Sequence, residues 1–145
     1  MSAPVAPRPS ATIVVARESE DGPEVLLVRR RAGDAFGDSY AFPGGVVDHD
    51  ESNAHIVCAG RSAADADAIL GIENALDYYS AAVRELYEET GILLARDADG
   101  GWAGSEPADS EERHAVDNGK LAWPEFLRLR GLCVASDALH YIAIW

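Results

Sequence analysis

Apolar residues recur at helical spacing at Leu76, Tyr79, Val83, Leu86 and Tyr87. This stripe predicts an amphipathic helix over residues 76–90 with one face on a core. Gly91 stands where a left-handed residue would end it. Residues 12–16 (Thr-Ile-Val-Val-Ala) and 25–28 (Val-Leu-Leu-Val) are short apolar runs flanking a turn signal, Asp21-Gly22-Pro23. They predict two strands joined as a hairpin with a longish loop, apolar on both faces and therefore central in a covered sheet. Further strands are expected over 92–95 and 139–145. In the latter, both faces are apolar except at His140. Residues 123–130 predict a short helix, with Pro124 near its start, Gly131 past its end, and Arg128 and Arg130 in the last turn.

Two stretches lack such periodicity. Residues 49–77 are rich in Ala, Asp and Ser; a surface excursion is expected there, with a short helix over 63–70 and ordering that depends on a ligand. Residues 97–112 are polar, contain Gly100 and Gly101, and are expected to be mobile. Trp102 reads as a loop residue packing on a surface, not as a base-stacking platform.

The 145 residues, 48% of them apolar, suffice for one domain over 11–145 behind an extended, proline-bearing lead-in over 1–10. The net charge of −13 disfavours nonspecific binding to nucleic acid or to an anionic membrane. No run approaches transmembrane length, and residues 1–10 lack the form of a signal peptide. A cytoplasmic location is the expectation. Cys58 and Cys133 show no metal-ligand spacing and read as idle thiols in a reducing compartment.

Candidate chemistry centres on Arg84, Glu85, Glu88 and Glu89. The three glutamates share an arc of roughly 100° on the predicted helix, opposite its apolar stripe. Glu85 and Glu89 are like charges at i, i+4, which costs about 0.2–0.5 kcal/mol. Glu88 and Glu89 also occupy the last turn, where the macrodipole favours cations. A face that breaks local rules is a candidate site. A divalent cation, Mg²⁺ or Mn²⁺, would relieve both conflicts. The alternative is a solvated acidic face. Arg29, Arg30 and Arg31 end the second strand, either as a solvated terminus or as a clamp for an anionic substrate group. Alternation puts Arg29 and Arg31 on one face. Gly44 and Gly45 permit close backbone approach. His49 and His55 read as surface residues. Asp48 and Asp50 leave a second metal site open.

The string Arg84-Glu85-Leu86-Tyr87-Glu88-Glu89-Thr90-Gly91-Ile92 resembles the second half of the Nudix hydrolase signature, and Phe42-Pro43-Gly44-Gly45 resembles a segment common ahead of it. Gly45 and Glu51 match the spacing of the first half, but Glu51 lies 33 residues before Arg84, so the box is interrupted by about 25 residues, an insertion at about 52–77. The resemblance implies an α/β (α+β) fold, a helix–sheet–helix sandwich with a mixed sheet. It implies a Mg²⁺- or Mn²⁺-dependent hydrolase that cleaves a pyrophosphate linkage in a nucleoside diphosphate derivative. Glu85, Glu88, Glu89 and the Gly45 carbonyl would hold metal. Glu88 or Glu89 would also serve as base, Arg84 would orient the carboxylates, and Arg29 and Arg31 would contact substrate. The role of Glu51 stays open. The long insertion resembles the branch that includes coenzyme A diphosphatases.

Relative to that family the chain reads as C-terminally shortened, with one sheet face lacking its cover. A homodimer or a partner protein is the expected consequence. The rival expectation from another class is a non-catalytic Nudix-like module that binds a nucleotide or a protein.

Overall fold

A computed structural model describes residues 6–30, 38–48, 54–105, 107 and 110–144, without the side chain of His55. His49, Asp50, Glu51, Arg31 and Trp145 therefore lie outside the described residues. So do residues 1–5 of the expected lead-in.

The first apolar run does not form one strand. β1 (Ser10–Thr12) and β2 (Ala16–Ser19) flank an extended stretch in which the chain changes partners. β1 pairs antiparallel with β6 (Gly44–Val46). The Ile13 amide donates to the Pro43 carbonyl, whereas the Val15 carbonyl accepts from the Leu26 amide, each at 2.9 Å. β2 pairs with β3 (Gly22–Val25), with Ser19 opposite Gly22. The expected hairpin is thus present, but Glu20 and Asp21 alone form its turn, which corrects the longish loop. Gly22, at φ 110°, makes so short a connection accessible. β4 (Val28–Arg29) pairs with β5 (Tyr40–Ala41).

Burial on both faces is also corrected. Ile13 is buried and Leu26 packs against its cluster, but Val14, Val25, Leu27, Tyr40 and Phe42 are exposed, Val25 at 53% and Tyr40 at 66%. Composition marks these strands as apolar. Only the face turned to the helix α3 (Ala75–Thr90) finds a partner.

α3 is the centre of the molecule. Its 16 residues match the predicted helix within one residue at the start, and Gly91 ends it at φ 80° with its amide on the Tyr87 carbonyl. Ala82 and Leu86 pack on Ile13. Val83 and Tyr87 join a second cluster with Trp123, Phe126 and Leu127. These come from α5 (Trp123–Arg130), whose limits agree with the Pro124 and Gly131 signals. The Tyr87 and Phe126 rings stack with centroids 4.9 Å apart. The Trp123 indole N–H donates to the buried Ser80 hydroxyl at 3.0 Å, so its polar edge is satisfied inside the core.

The stretch 49–77 is not a surface excursion where it is described. α1 (Ala54–Val57) buries Ala54 and Val57. β7 (Cys58–Ala59) then runs parallel to β9 (Cys133–Ala135). α2 (Ala63–Leu70) is the expected short helix, capped by Ser62 and ended by Gly71. Ala66 on α2 packs with Ala75, Leu76 and Tyr79 of α3. The Asp67 carboxylate accepts from the Ala75 amide at 2.8 Å and so covers an open donor at the start of α3. Arg61 donates to the carbonyls of Ser136 and Leu139, across 75 and 78 residues of chain. Small alanines pack helices closely without a strong periodic signal, which hides this layer from a hydropathy pattern.

The strand expected over 92–95 shortens to β8 (Ala95–Arg96), antiparallel to β9. The described part of the polar stretch after it has backbone partners. Residues 97–105 fold back on 92–96, with the Ala103 amide on the Ala95 carbonyl and the Leu93 amide on the Gly104 carbonyl. Trp102 lies 55% exposed beneath the Arg96 guanidinium, 4.4 Å from it. α4 (Glu111–Asp117) follows, capped by Ser110. Pairing among the described residues is divided over four small sheets, of which β7-β9-β8 is mixed. The expected mixed α/β class holds. The expected last strand does not. A 3₁₀ turn at Ser136–Ala138 leads into residues 139–144, which pair as a strand with none of the described residues and leave Ile142 exposed.

Candidate metal and active site

The helix α3 presents Arg84, Glu85, Glu88 and Glu89 to β6 and to the segment that follows it. Arg84 is only 7% exposed, and no other charged side chain among the described residues is as buried. Its Nη1 donates to both Glu88 carboxylate oxygens, at 3.0 and 2.9 Å. Its Nη2 donates to the Val46 carbonyl at 2.9 Å, lies 2.9 Å from Glu85 Oε1, and is 3.4 Å from Asp48. The flat guanidinium thus holds two glutamates apart in a fixed orientation and ties the helix to the end of β6.

Gly45 is where β6 comes closest to the helix. A Cβ there would overlap the Glu85 carboxyl group. At Gly44 a Cβ would meet the β1 backbone instead, the Ala11 carbonyl oxygen and the Thr12 Cα. One glycine therefore makes room for a site side chain and the other for a strand. Gly45→Ala is expected to change stability by less than about 1 kcal/mol, because the end of a flexible side chain can swing away, yet to weaken Mn²⁺ binding about tenfold by displacing Glu85. Gly44→Ala should cost about 1–3 kcal/mol, because backbone must move. Thermal melts and Mn²⁺ titrations of both variants check this division. Equal losses of melting temperature would remove it.

Burial is the leading reason that all three glutamates hold their protons more tightly than usual. Glu88 is pushed up to about 7, since burial and the charges of Glu85 and Asp117 outweigh Arg84. Glu85 is raised by burial against the pull of Arg84. Glu89 is raised by burial and by Glu85, and is partly offset by the Gly44 amide and by Arg30. Carboxylates crowded this way favour any added cation. Their oxygens, and a glycine beside them that leaves room, fit a hard divalent ion. Among the described residues no three ligating side chains already converge on one point, because Glu85 and Glu88 turn toward Arg84.

The arginine triplet divides. Arg29 forms an exposed ion pair with Asp38 at 2.7 Å. Of the two described members, Arg30, one residue on and so on the opposite face, is the one whose charge acts on Glu89; Arg31 lies outside the described residues. Leu26 and Val28 precede Arg30 at spacing two on the more buried face of the strand.

Sequence reasoning did not find Asp48 as a partner of Arg84, nor Asp117. Asp48, Arg84, Glu88 and Asp117 line one cavity, which Trp123 and Leu121 close from the α5 side. Asp117 sits in a polar stretch with no motif, and no signal in the sequence distinguishes it from its acidic neighbours.

No family model matches the chain, and no curated protein matches it. Among solved structures it is similar to the crystal structure of a Nudix hydrolase from Alicyclobacillus acidocaldarius, with 29% sequence identity and a TM-score of 0.70 over 92% of this chain and 59% of that one. The chain thus spans about three-fifths the length of that protein. The chain is similar in fold to a Nudix hydrolase, and its α3 carries the Arg-Glu-apolar-x-Glu-Glu string that resembles that family's signature.

Proposed function

We propose that the chain is a Mg²⁺- or Mn²⁺-dependent hydrolase of a pyrophosphate linkage in a nucleoside diphosphate derivative. The observation that carries this reading is the set of three glutamates on α3, two of them, Glu85 and Glu88, oriented by a buried arginine, with Gly45 making room for Glu85. The similar solved structure carries the name of a hydrolase of this family, which supports it.

A pyrophosphate already carries negative charge and repels an attacking hydroxide. Bound metal would neutralise the phosphate oxygens and the leaving group. Glu85, Glu88, Glu89 and the Gly45 carbonyl are the residues that would hold it. Glu88 also takes up a proton near neutrality, which suits it to accept one from the attacking water. Arg84 keeps Glu85 and Glu88 in orientation. Coenzyme A derivatives are the substrate class the long insertion favours. Turnover of a panel of coenzyme A, nucleotide-sugar and dinucleotide substrates, with and without Mg²⁺, tests the reading. Cleavage only with metal supports it. Binding without cleavage would favour a non-catalytic nucleotide-binding module.

Substrate phosphate is assigned to Arg30 in preference to Arg29. Arg30→Ala is expected to raise KM about tenfold with a smaller change in kcat, since the contact exists before and during reaction. Arg29→Ala should leave both nearly unchanged. The reverse order in steady-state kinetics would return the contact to Arg29.

No described helix is long and apolar enough to cross a membrane. A cytoplasmic location is part of the proposal. So is a homodimer formed through the exposed face of Val14, Val25, Leu27, Tyr40 and Phe42. Light scattering after size exclusion decides that point, and a monomer at all concentrations would end it.

A further inference from the structure

We propose that Arg113 is a positioning residue of the carboxylate site, acting through the backbone of Glu88; this rests on the site reading above. α3 has no basic residue in its own last turn, although two of its site glutamates stand there. The carbonyls of that turn lack partners within the helix. Tyr87 accepts from the Gly91 amide, while the Thr90 hydroxyl turns back onto the Leu86 carbonyl. The Ile92 amide, which would serve Glu88 if the helix continued, turns instead to the Thr90 hydroxyl. The Glu88 carbonyl is thereby left over. Arg113 Nε donates to it at 3.0 Å, across 25 residues of chain.

The helix end that carries Glu88 and Glu89 is thus capped by a cation from another element. α4 is held for the purpose. Ser110 caps its start, and Val116, three residues beyond Arg113, is buried with Val83, Tyr87 and Trp123. Arg113 Nη1 is buried and has no hydrogen-bond partner among the described residues. A group kept only for stability would not be expected to leave a guanidinium nitrogen so placed, since that disfavours folding. Fixing the backbone of Glu88 fixes the root of two site side chains, and small errors there are large at a metal centre.

The test compares the full chain with Arg113→Ala, Arg113→Lys and Ser110→Ala. The last weakens α4 while leaving the Arg113 bond in place. Mn²⁺ affinity is read by calorimetry, and exchange of the amides at 89–92 is read by NMR without metal. Arg113→Ala is expected to lose about tenfold in Mn²⁺ affinity and to speed amide exchange at 89–92. Arg113→Lys should recover most of both, and Ser110→Ala should leave both nearly unchanged while lowering the melting temperature. Arg113→Ala behaving like Ser110→Ala, with a lower melting temperature but normal exchange and affinity, would overturn the proposal. Absence of Mn²⁺ binding in the unaltered chain would instead refute the site reading. The exchange data would still decide whether Arg113 orders the helix end.

Discussion

Glu88→Gln is expected to abolish turnover and, at the same time, to stabilise the metal-free chain at alkaline pH. The two effects have one cause. In the folded chain Glu88 holds its proton up to about pH 7, because burial and the neighbouring charges of Glu85 and Asp117 outweigh Arg84. Its folded pKa is therefore raised above the ordinary value of 4.5. A group of this sign contributes stability that is full below the unfolded pKa and lost as pH rises through the folded one. The unaltered, metal-free chain should lose stability between about pH 4.5 and pH 7 on this account. Glutamine carries no charge to desolvate, so the variant should lack that decline and exceed the parent by about 1–3 kcal/mol at pH 8. The parent carboxylate, however, is what would hold metal and take the proton from water. Its loss should cost at least a hundredfold in kcat, on the order of what a positioned base contributes. Steady-state rates and thermal melts across pH 5–8 check both halves. A variant that turns over normally, or one less stable than the parent at pH 8, would show that Glu88 is an ordinary surface carboxylate.

Arg84→Ala should have the largest effect on stability. Arg84 is the cation between Glu85 and Glu88, and it also meets the Val46 carbonyl. Removing one partner of a buried ion pair typically costs about 3–5 kcal/mol, a large share of the 5–15 kcal/mol that holds a domain of this size. The loss should depend on pH. Arg84 lowers the proton affinity of both glutamates, so without it their folded pKa values rise further above the unfolded ones. The variant should then lose less relative to the parent at pH 5, where Glu88 holds its proton, than at pH 8, where it is ionised. Arg84→Lys should not rescue it, because a single ammonium cannot serve two carboxylates and a carbonyl in one plane. Urea melts at the two pH values measure this. An equal loss at pH 5 and pH 8 would mean that Arg84 acts through packing and not through charge.

What could be read from the sequence follows from how local each signal is. α3 was legible because its stripe, its glutamate face and Gly91 all lie within one helix and agree. The Gly45–Glu85 contact was partly legible, since a glycine pair before a carboxylate helix asks what must come close. α4 was not. Val116 is its one buried residue, and Glu111, Glu112, Arg113 and His114 resemble a solvated run. Arg113 acts on a backbone carbonyl, which leaves no trace in residue types. β9 is three residues long and gains its place only by pairing with β7 and β8. The segment 139–144 shows the reverse error. Apolar alternation describes what a strand would bury, but pairing requires a neighbouring edge that no pattern in the segment specifies. Val14, Val25 and Leu27 carry the same lesson, since an apolar run does not say whether one or two faces will be covered.

A divalent cation held on the glutamate face of α3 is the expectation from which the other predictions follow. Calorimetric titration of Mn²⁺ into the full chain and into a variant with Glu85, Glu88 and Glu89 all changed to Gln tests it most directly, with a thermal melt confirming that the variant folds. Saturable binding to the parent and none to the folded variant is expected. Equal binding to both, or no binding to the parent, would contradict it.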